Sequence, residues 1–175
     1  MRDGVLEIPL AMVPAAELVV AEAELALWAG LAGDLGTSWA IRPFVAAANA
    51  AVDPYRERLR PFSGEVELVP GITAVALPGH TPGHTGFRLA SGDRQLLIWG
   101  AIVHAQALQF ARPDWAIAFD VDPDAAVTTR KRLLDMVATD RIAIAGAHLV
   151  FPGTGHVARS GDADAFVASP FAPSL

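Results

Sequence analysis

The sequence predicts a mixed α/β fold, of the α+β type, in one domain that covers residues 1–175. Short apolar or alternating runs predict several strands between residues 66 and 99. Longer stretches with apolar residues at helical spacing predict helices before and after these strands. A length of 175 residues suits a single domain that can bury a sizeable core.

The first third of the chain is predicted to be mainly helical. Residues 1–16 lack a strong period and are assigned to a loop, and Glu17–Val20 is a candidate buried strand. Residues 21–32 have apolar side chains at the spacing of an amphipathic helix. A second helix is predicted over residues 41–59, where Pro54 would kink or divide it unless Asp53 begins a new helix.

Strand patterns dominate the middle of the chain. Four short runs rich in β-branched, aromatic or aliphatic residues predict strands at 66–69, 72–77, 86–90 and 95–99. A final buried strand is predicted at residues 141–145. After residue 156 the pattern fades, and no further element is predicted.

The strongest helix prediction begins at Asp122 and Pro123. Proline fits the first helical turn, and acidic residues there stabilise the positive end of the helix dipole. Asp122 is assigned to capping this helix. The apolar face of the helix predicts burial, whereas the basic run Arg130–Arg132 is expected to face solvent.

Composition excludes several classes of function. The net charge of -6 does not fit a nucleic-acid-binding surface, and no apolar run is long enough to span a bilayer. The absence of cysteine leaves only nitrogen and oxygen ligands for a metal. The amino-terminal residues do not resemble a signal peptide, which favours a cytoplasmic location. The hydrophobic fraction of 53% indicates a well-packed core or an apolar surface for a partner.

The segment Leu77–Gly86, with sequence LPGHTPGHTG, is the most distinctive in the chain. Two Pro-Gly pairs force tight turns after a predicted strand, and His80 and His84 lie on the resulting loop. Imidazole is the commonest protein ligand for zinc-like metals, so the loop is either a metal-binding arm or a structural turn. The residues alone leave both interpretations open.

Several motifs in order resemble the metallo-β-lactamase superfamily, in particular its methyl parathion hydrolase-like and lactonase-like branch. They are PGHTPGH at 78–84, WGAIVH at 99–104, GAH at 146–148 and FPGTGH at 151–156. The similarity extends from about residue 17 to residue 159. The resemblance implies an αββα sandwich, of which this chain matches mainly the C-terminal half.

The resemblance also implies a two-zinc hydrolase centre, and it assigns His84 and His148 as the matched metal ligands. Where the family has an aspartate that bridges the two metals, this sequence has Ala101, which offers no lone pair. The paired-histidine motif HxHxDH of the family is also absent, since no histidine precedes His80. A catalytic zinc needs about three protein ligands and an open position for water.

The sequence therefore predicts a remnant of an ester, lactone or organophosphate hydrolase that is inactive as written, with zinc bound weakly or not at all. No catalytic side chain is assigned. The alternative is a non-catalytic module that binds a small molecule or a protein, with a homo-oligomer formed through an uncovered sheet face. His80 is assigned a hydrogen bond that stabilises its turn. His104 and His156 are expected to be loop histidines near the site, and the alternatives for each are a substitute metal ligand or a hydrogen-bonded or solvated side chain.

Overall fold

The computed structural model describes residues 13, 15–33, 42–161 and 163–170. These residues form two compact units, Met1–Ser63 and Gly64–Leu175, which are described separately. The predicted α+β fold class is confirmed, since both units mix helices and strands.

The first unit contains two short parallel strands and the helices between them. Its elements in order are β1 (Leu18–Ala21), α1 (Glu22–Gly33), α2 (Arg42–Val52), a 3₁₀ helix (Asp53–Arg58) and β2 (Leu59–Phe62). β1 and β2 pair in parallel, with Leu18 opposite Leu59. The predicted helical stretch over 41–59 is divided near Pro54, as expected: α2 ends at Val52 and the 3₁₀ helix follows. Of the described residues in this stretch, only Leu59, the first residue of β2, departs from the prediction.

The second unit is a seven-stranded sheet with one long helix. Its elements in order are β3 (Val66–Val69), β4 (Ile72–Ala76), β5 (Thr85–Ser91), β6 (Arg94–Ile98), α3 (Gln106–Gln109), α4 (Pro123–Thr139), β7 (Ala143–Ala145), β8 (Thr154–Ser160) and β9 (Ala163–Ala168). The strands lie in sequence order in the sheet. All neighbours are antiparallel except β6 and β7, which are parallel and connected through α4.

α4 begins where the sequence predicts. The side chain of Asp122 accepts a hydrogen bond from the backbone N–H of Ala125 at 2.9 Å, and Pro123 follows it in the first turn. The helix buries one side against the sheet. The shared core is apolar and combines residues from α4, the strands and the following loops: Val75, Leu77, Leu97, Trp99, Ile102, Val103, Phe110, Leu133, Leu134, Val137, Ile142, Ile144, Leu149 and Val157.

The opposite face of the sheet is also apolar. Side chains alternate between the two faces of a strand, so the neighbours of core residues such as Leu97 point away from α4. Leu96 and Ile98 flank Leu97 on β6, and Ile98 is 39% exposed. Phe87 and Leu89 pair with Ile98 and Leu96 on the adjacent strand. Strands that are apolar on both faces are typical of sheets covered on both sides.

Within the described part of the chain, no helix is long and apolar enough to cross a membrane.

Candidate functional site

The segment predicted from its Pro-Gly pairs forms a tight turn that is anchored to α4. The backbone N–H of Leu77 donates to the carbonyl of His84 at 2.8 Å, and the Thr129 hydroxyl of α4 donates to the carbonyl of Pro78 at 2.7 Å. Gly79 has φ +134°, and a Cβ there would lie 2.2 Å from the backbone nitrogen of Ala126. Glycine therefore permits the turn to lie directly against the first turns of α4.

Four of the five histidines come together around this turn. The ring centroids of His80 and His84 are 5.9 Å apart, and those of His80 and His104 are 4.7 Å apart. His104 stacks on His148 at 4.4 Å. We call these four residues the histidine cluster. His156 lies on β8 and makes no ring contact with the cluster, although the sequence placed it near the site.

His84 uses both ring nitrogens in hydrogen bonds to the backbone. Nδ1 lies 3.0 Å from the carbonyl of Leu77, and Nε2 lies 3.0 Å from the backbone nitrogen of Ala101. A backbone N–H can only donate, so the Nε2 lone pair accepts from Ala101 and Nδ1 carries the proton. Gly100 has φ +61°, and a Cβ there would lie 2.7 Å from Nε2. The loop after β6 thus lies directly on the nitrogen that a metal would need.

His80 is paired with a buried carboxylate. Its Nδ1 lies 3.1 Å from Oδ1 of Asp120, whose side chain is 1% exposed. The other carboxylate oxygen accepts from the backbone N–H of Ile117 at 3.0 Å and lies 3.9 Å from the Arg130 guanidinium. The sequence assigned His80 a turn-stabilising hydrogen bond but did not identify Asp120 as its partner, which lies 40 residues away along the chain.

Arg130 is buried, with 1% exposure, which contradicts the expectation that it faces solvent. Its guanidinium donates to the carbonyls of Ile102, Pro113 and Trp115 at distances from 2.7 to 3.0 Å. These bonds hold the long loop between β6 and α4, and they offset the cost of burying the cation. Burial lowers the pKa of Arg130, and the nearby Asp120 opposes that shift.

A second buried polar residue, Gln109, positions His104. Its Oε1 accepts from the backbone N–H groups of His104 and Ala105, at 2.7 and 3.1 Å, and its Nε2 donates to the carbonyl of Trp115. Nδ1 of His104 is buried and has no hydrogen-bond partner in the described residues. Burial, followed by the charges of His80 and His148, lowers the pKa of His104 to about 4.

We expect this low pKa to make folding stability depend on pH. In the unfolded chain His104 is protonated below about pH 6.5, whereas in the folded state its ring stays neutral down to about pH 4. The unfolded state thus binds more protons in this window, so stability falls as the pH falls. Because His104 is partly exposed and solvent screens its charge, we expect the free energy of unfolding to fall by about 1 to 2 kcal/mol over this pH range. Urea unfolding with chelator present measures it, and His104→Asn should remove this part of the pH dependence. Parallel pH profiles for the two proteins would contradict the expectation.

The residues of this site do not fit a two-zinc centre. No group of three histidine, aspartate or glutamate side chains among the described residues has the geometry to hold a metal ion. Of the two ligands that the sequence predicts, His84 has both nitrogens engaged, and His148 is exposed and stacked on His104. Ala101 contributes only its backbone N–H. The metal-ligand role of His84 and His148 therefore stays a prediction.

The fold of the chain is similar to that of several solved hydrolase structures. AbOPH, a hydrolase of the beta lactamase superfamily, matches with a TM-score of 0.82 and 28% identity. AidC, a dizinc quorum-quenching lactonase, matches with a TM-score of 0.81 and 21% identity. Both matches cover 91% of this chain and 57% of the other. A probable metal-dependent hydrolase from Staphylococcus aureus matches with a TM-score of 0.62 and 20% identity, over 87% of this chain and 53% of the other.

These matches rest on structure. No protein-family profile matches the sequence, and no curated protein does. The chain spans a little more than half the length of the solved structures that it matches.

Proposed function

Because the chain has the fold of the metallo-β-lactamase superfamily over part of that fold's length, as its sequence motifs predict, we propose that it is a remnant of a metal-dependent hydrolase. The relevant substrates are esters, lactones or organophosphates. In this proposal the chain does not carry out zinc-dependent hydrolysis by itself, and any zinc it binds is held weakly.

The observation that carries this proposal is the state of His84. In a metal-binding imidazole, the ligating nitrogen presents its lone pair to the cation. Here that lone pair on Nε2 accepts the backbone N–H of Ala101, and the other nitrogen is bonded to Leu77. Zinc binding at His84 would require the loop at Gly100 to move away and leave a backbone donor without a partner. Such a loss costs about 1 to 3 kcal/mol if the donor stays buried.

The proposal is tested by zinc titration and by hydrolysis assays. We expect calorimetry to show no tight zinc site, and no zinc-dependent turnover of an acyl homoserine lactone, an aryl ester or a phosphotriester. Ala101→Asp adds the missing carboxylate but leaves the backbone N–H in place, so we expect this substitution alone not to restore turnover. His156→Gln is a control for adventitious binding to an exposed imidazole. Stoichiometric zinc with matching turnover in the unmodified protein would refute the proposal.

A binding module is the second candidate function, and the apolar second face of the sheet favours it. Ile98 lies on that face among partly buried aliphatic and aromatic neighbours, Phe87, Leu89 and Leu96. Apolar surfaces of this kind commonly recruit a second chain, and we propose a homo-oligomer through this face.

We expect sedimentation to show a dimer or larger species that dissociates when Ile98→Glu places a charge in the interface. Leu108→Glu is the matched control, because Leu108 is also an exposed apolar residue but lies on α3, outside the sheet. A wild-type protein that sediments as a monomer at high concentration would exclude this assembly.

A further inference from the structure

The pair formed by His80 and Asp120 has the geometry of a histidine oriented for proton transfer. We propose that His80, oriented by Asp120, is a metal-independent general base for the hydrolysis of activated carboxylic esters. This activity is separate from the zinc chemistry discussed above and does not depend on it. The proposal starts from three properties of the pair: the fixed tautomer of His80, the rigidity of Asp120, and the access of the ring to solvent.

Asp120 fixes the tautomer of His80. A carboxylate accepts hydrogen bonds, so Nδ1 of His80 carries the proton that it shares with Oδ1 at 3.1 Å. The lone pair is then on Nε2, and Nε2 makes no hydrogen bond to any other described residue. His84 has the same tautomer, but its Nε2 accepts from Ala101. The Nε2 lone pair of His80 is thus not used by another described residue, whereas that of His84 accepts a hydrogen bond.

The carboxylate is itself held rigidly. Its second oxygen accepts from the Ile117 backbone and lies near Arg130, a cation fixed by three bonds to carbonyls. The backbone N–H groups of Val121 and Asp122 donate to the carbonyls of His80 and Gly79, at 3.1 and 2.9 Å. The segment that carries Asp120 is therefore tied to the turn that carries His80 by two backbone hydrogen bonds next to the side-chain contact. A base held in this way loses little entropy when it acts.

The His80 side chain is partly open to solvent, and two exposed apolar residues lie next to its partner Asp120 in the chain. Its side chain is 25% exposed, in contrast to the 1% of Asp120. Phe119 and Val121 flank Asp120 in sequence, and both are largely exposed, Phe119 to 74%. In this proposal the aryl group of the substrate is assigned to these exposed apolar side chains, with the ester carbonyl toward the imidazole.

The reaction balances with water as the only co-substrate. Nε2 of His80 takes a proton from a water molecule while the water oxygen bonds to the carbonyl carbon of the ester. The bond from that carbon to the aryl oxygen then breaks, and the imidazolium returns its proton to the departing aryloxide. The products are a carboxylic acid and a phenol. Asp120 stabilises the imidazolium and keeps its proton on Nδ1.

The test is the hydrolysis of para-nitrophenyl acetate with excess chelator. We expect the protein to exceed the same concentration of free imidazole by about 100-fold, in the lower range for general bases. The substitution His80→Gln should lower the hydrolysis rate at least about 10-fold, and Asp120→Asn should lower it by a similar factor. His156→Gln is the control, since it removes an exposed imidazole outside the cluster, and its rate should equal that of the wild type.

A second measurement uses the unmodified protein, so that it holds even if a variant fails to fold. Long-range ¹H–¹⁵N correlation spectra should show His80 protonated on Nδ1 and unprotonated on Nε2. Protonation on Nε2, a wild-type rate no greater than that of imidazole, or a folded His80→Gln variant with an unchanged rate would each overturn the proposal. Excess chelator separates this proposal from the proposed function. The activity of His80 is measured without zinc, whereas the proposed function fails only if added zinc supports turnover.

Discussion

Arg130→Met should destabilise the protein by about 3 to 5 kcal/mol, the range observed when one partner of a buried ionic network is removed. The substitution keeps the volume of the side-chain stem but removes every donor. It leaves the carbonyls of Ile102, Pro113 and Trp115 without this partner, and it leaves Asp120 buried without a nearby cation. Urea unfolding at neutral pH measures the change.

The matched control for this prediction is Arg132→Met. Arg132 lies two residues further along α4 and is exposed, so the same chemical change should alter stability by no more than about 0.5 kcal/mol. Equal effects of the two substitutions would show that the buried network does not stabilise the loop.

Gly79→Ala is expected to destabilise the folded state by at least about 3 kcal/mol, or to prevent folding. The added Cβ would lie 2.2 Å from the backbone nitrogen of Ala126 and 2.3 Å from its Cα. Both atoms belong to the backbone of α4, which cannot give way as a flexible side chain can. The φ of +134° adds strain, because residues with a Cβ rarely adopt it. Thermal unfolding measures the effect.

Gly92→Ala is the control that separates strain from steric conflict. Gly92 also has a positive φ, +61°, but its Cβ would meet nothing within 4 Å. We therefore expect Gly92→Ala to lower the free energy of unfolding by only about 1 to 2 kcal/mol, from backbone strain alone. If both glycine substitutions had the same effect, the close approach of the turn to α4 would not be the cause.

Most elements of the fold were predictable because local patterns specify them. The strands at 66–69 and 72–76 and the helix that begins after Asp122 lie within a residue or two of their predictions. β8 and β9 were missed, because their sequences, TGHVARS and ADAFVA, show little regular alternation of apolar and polar residues. These strands are defined by backbone pairing to each other, which no local pattern reveals.

The sequence by itself determined which chemistry was available: five histidines, no cysteine, a glycine-rich turn, and Ala101 where the related family has an aspartate. Only the tertiary structure decided how these groups are used. It places the backbone of Ala101 on His84, and it pairs Asp120 with His80. It also buries Arg130, which the charge pattern of α4 places toward solvent. The physical reason is that hydrogen bonds between distant residues depend on where the chain folds back, whereas strand and helix patterns depend on near neighbours.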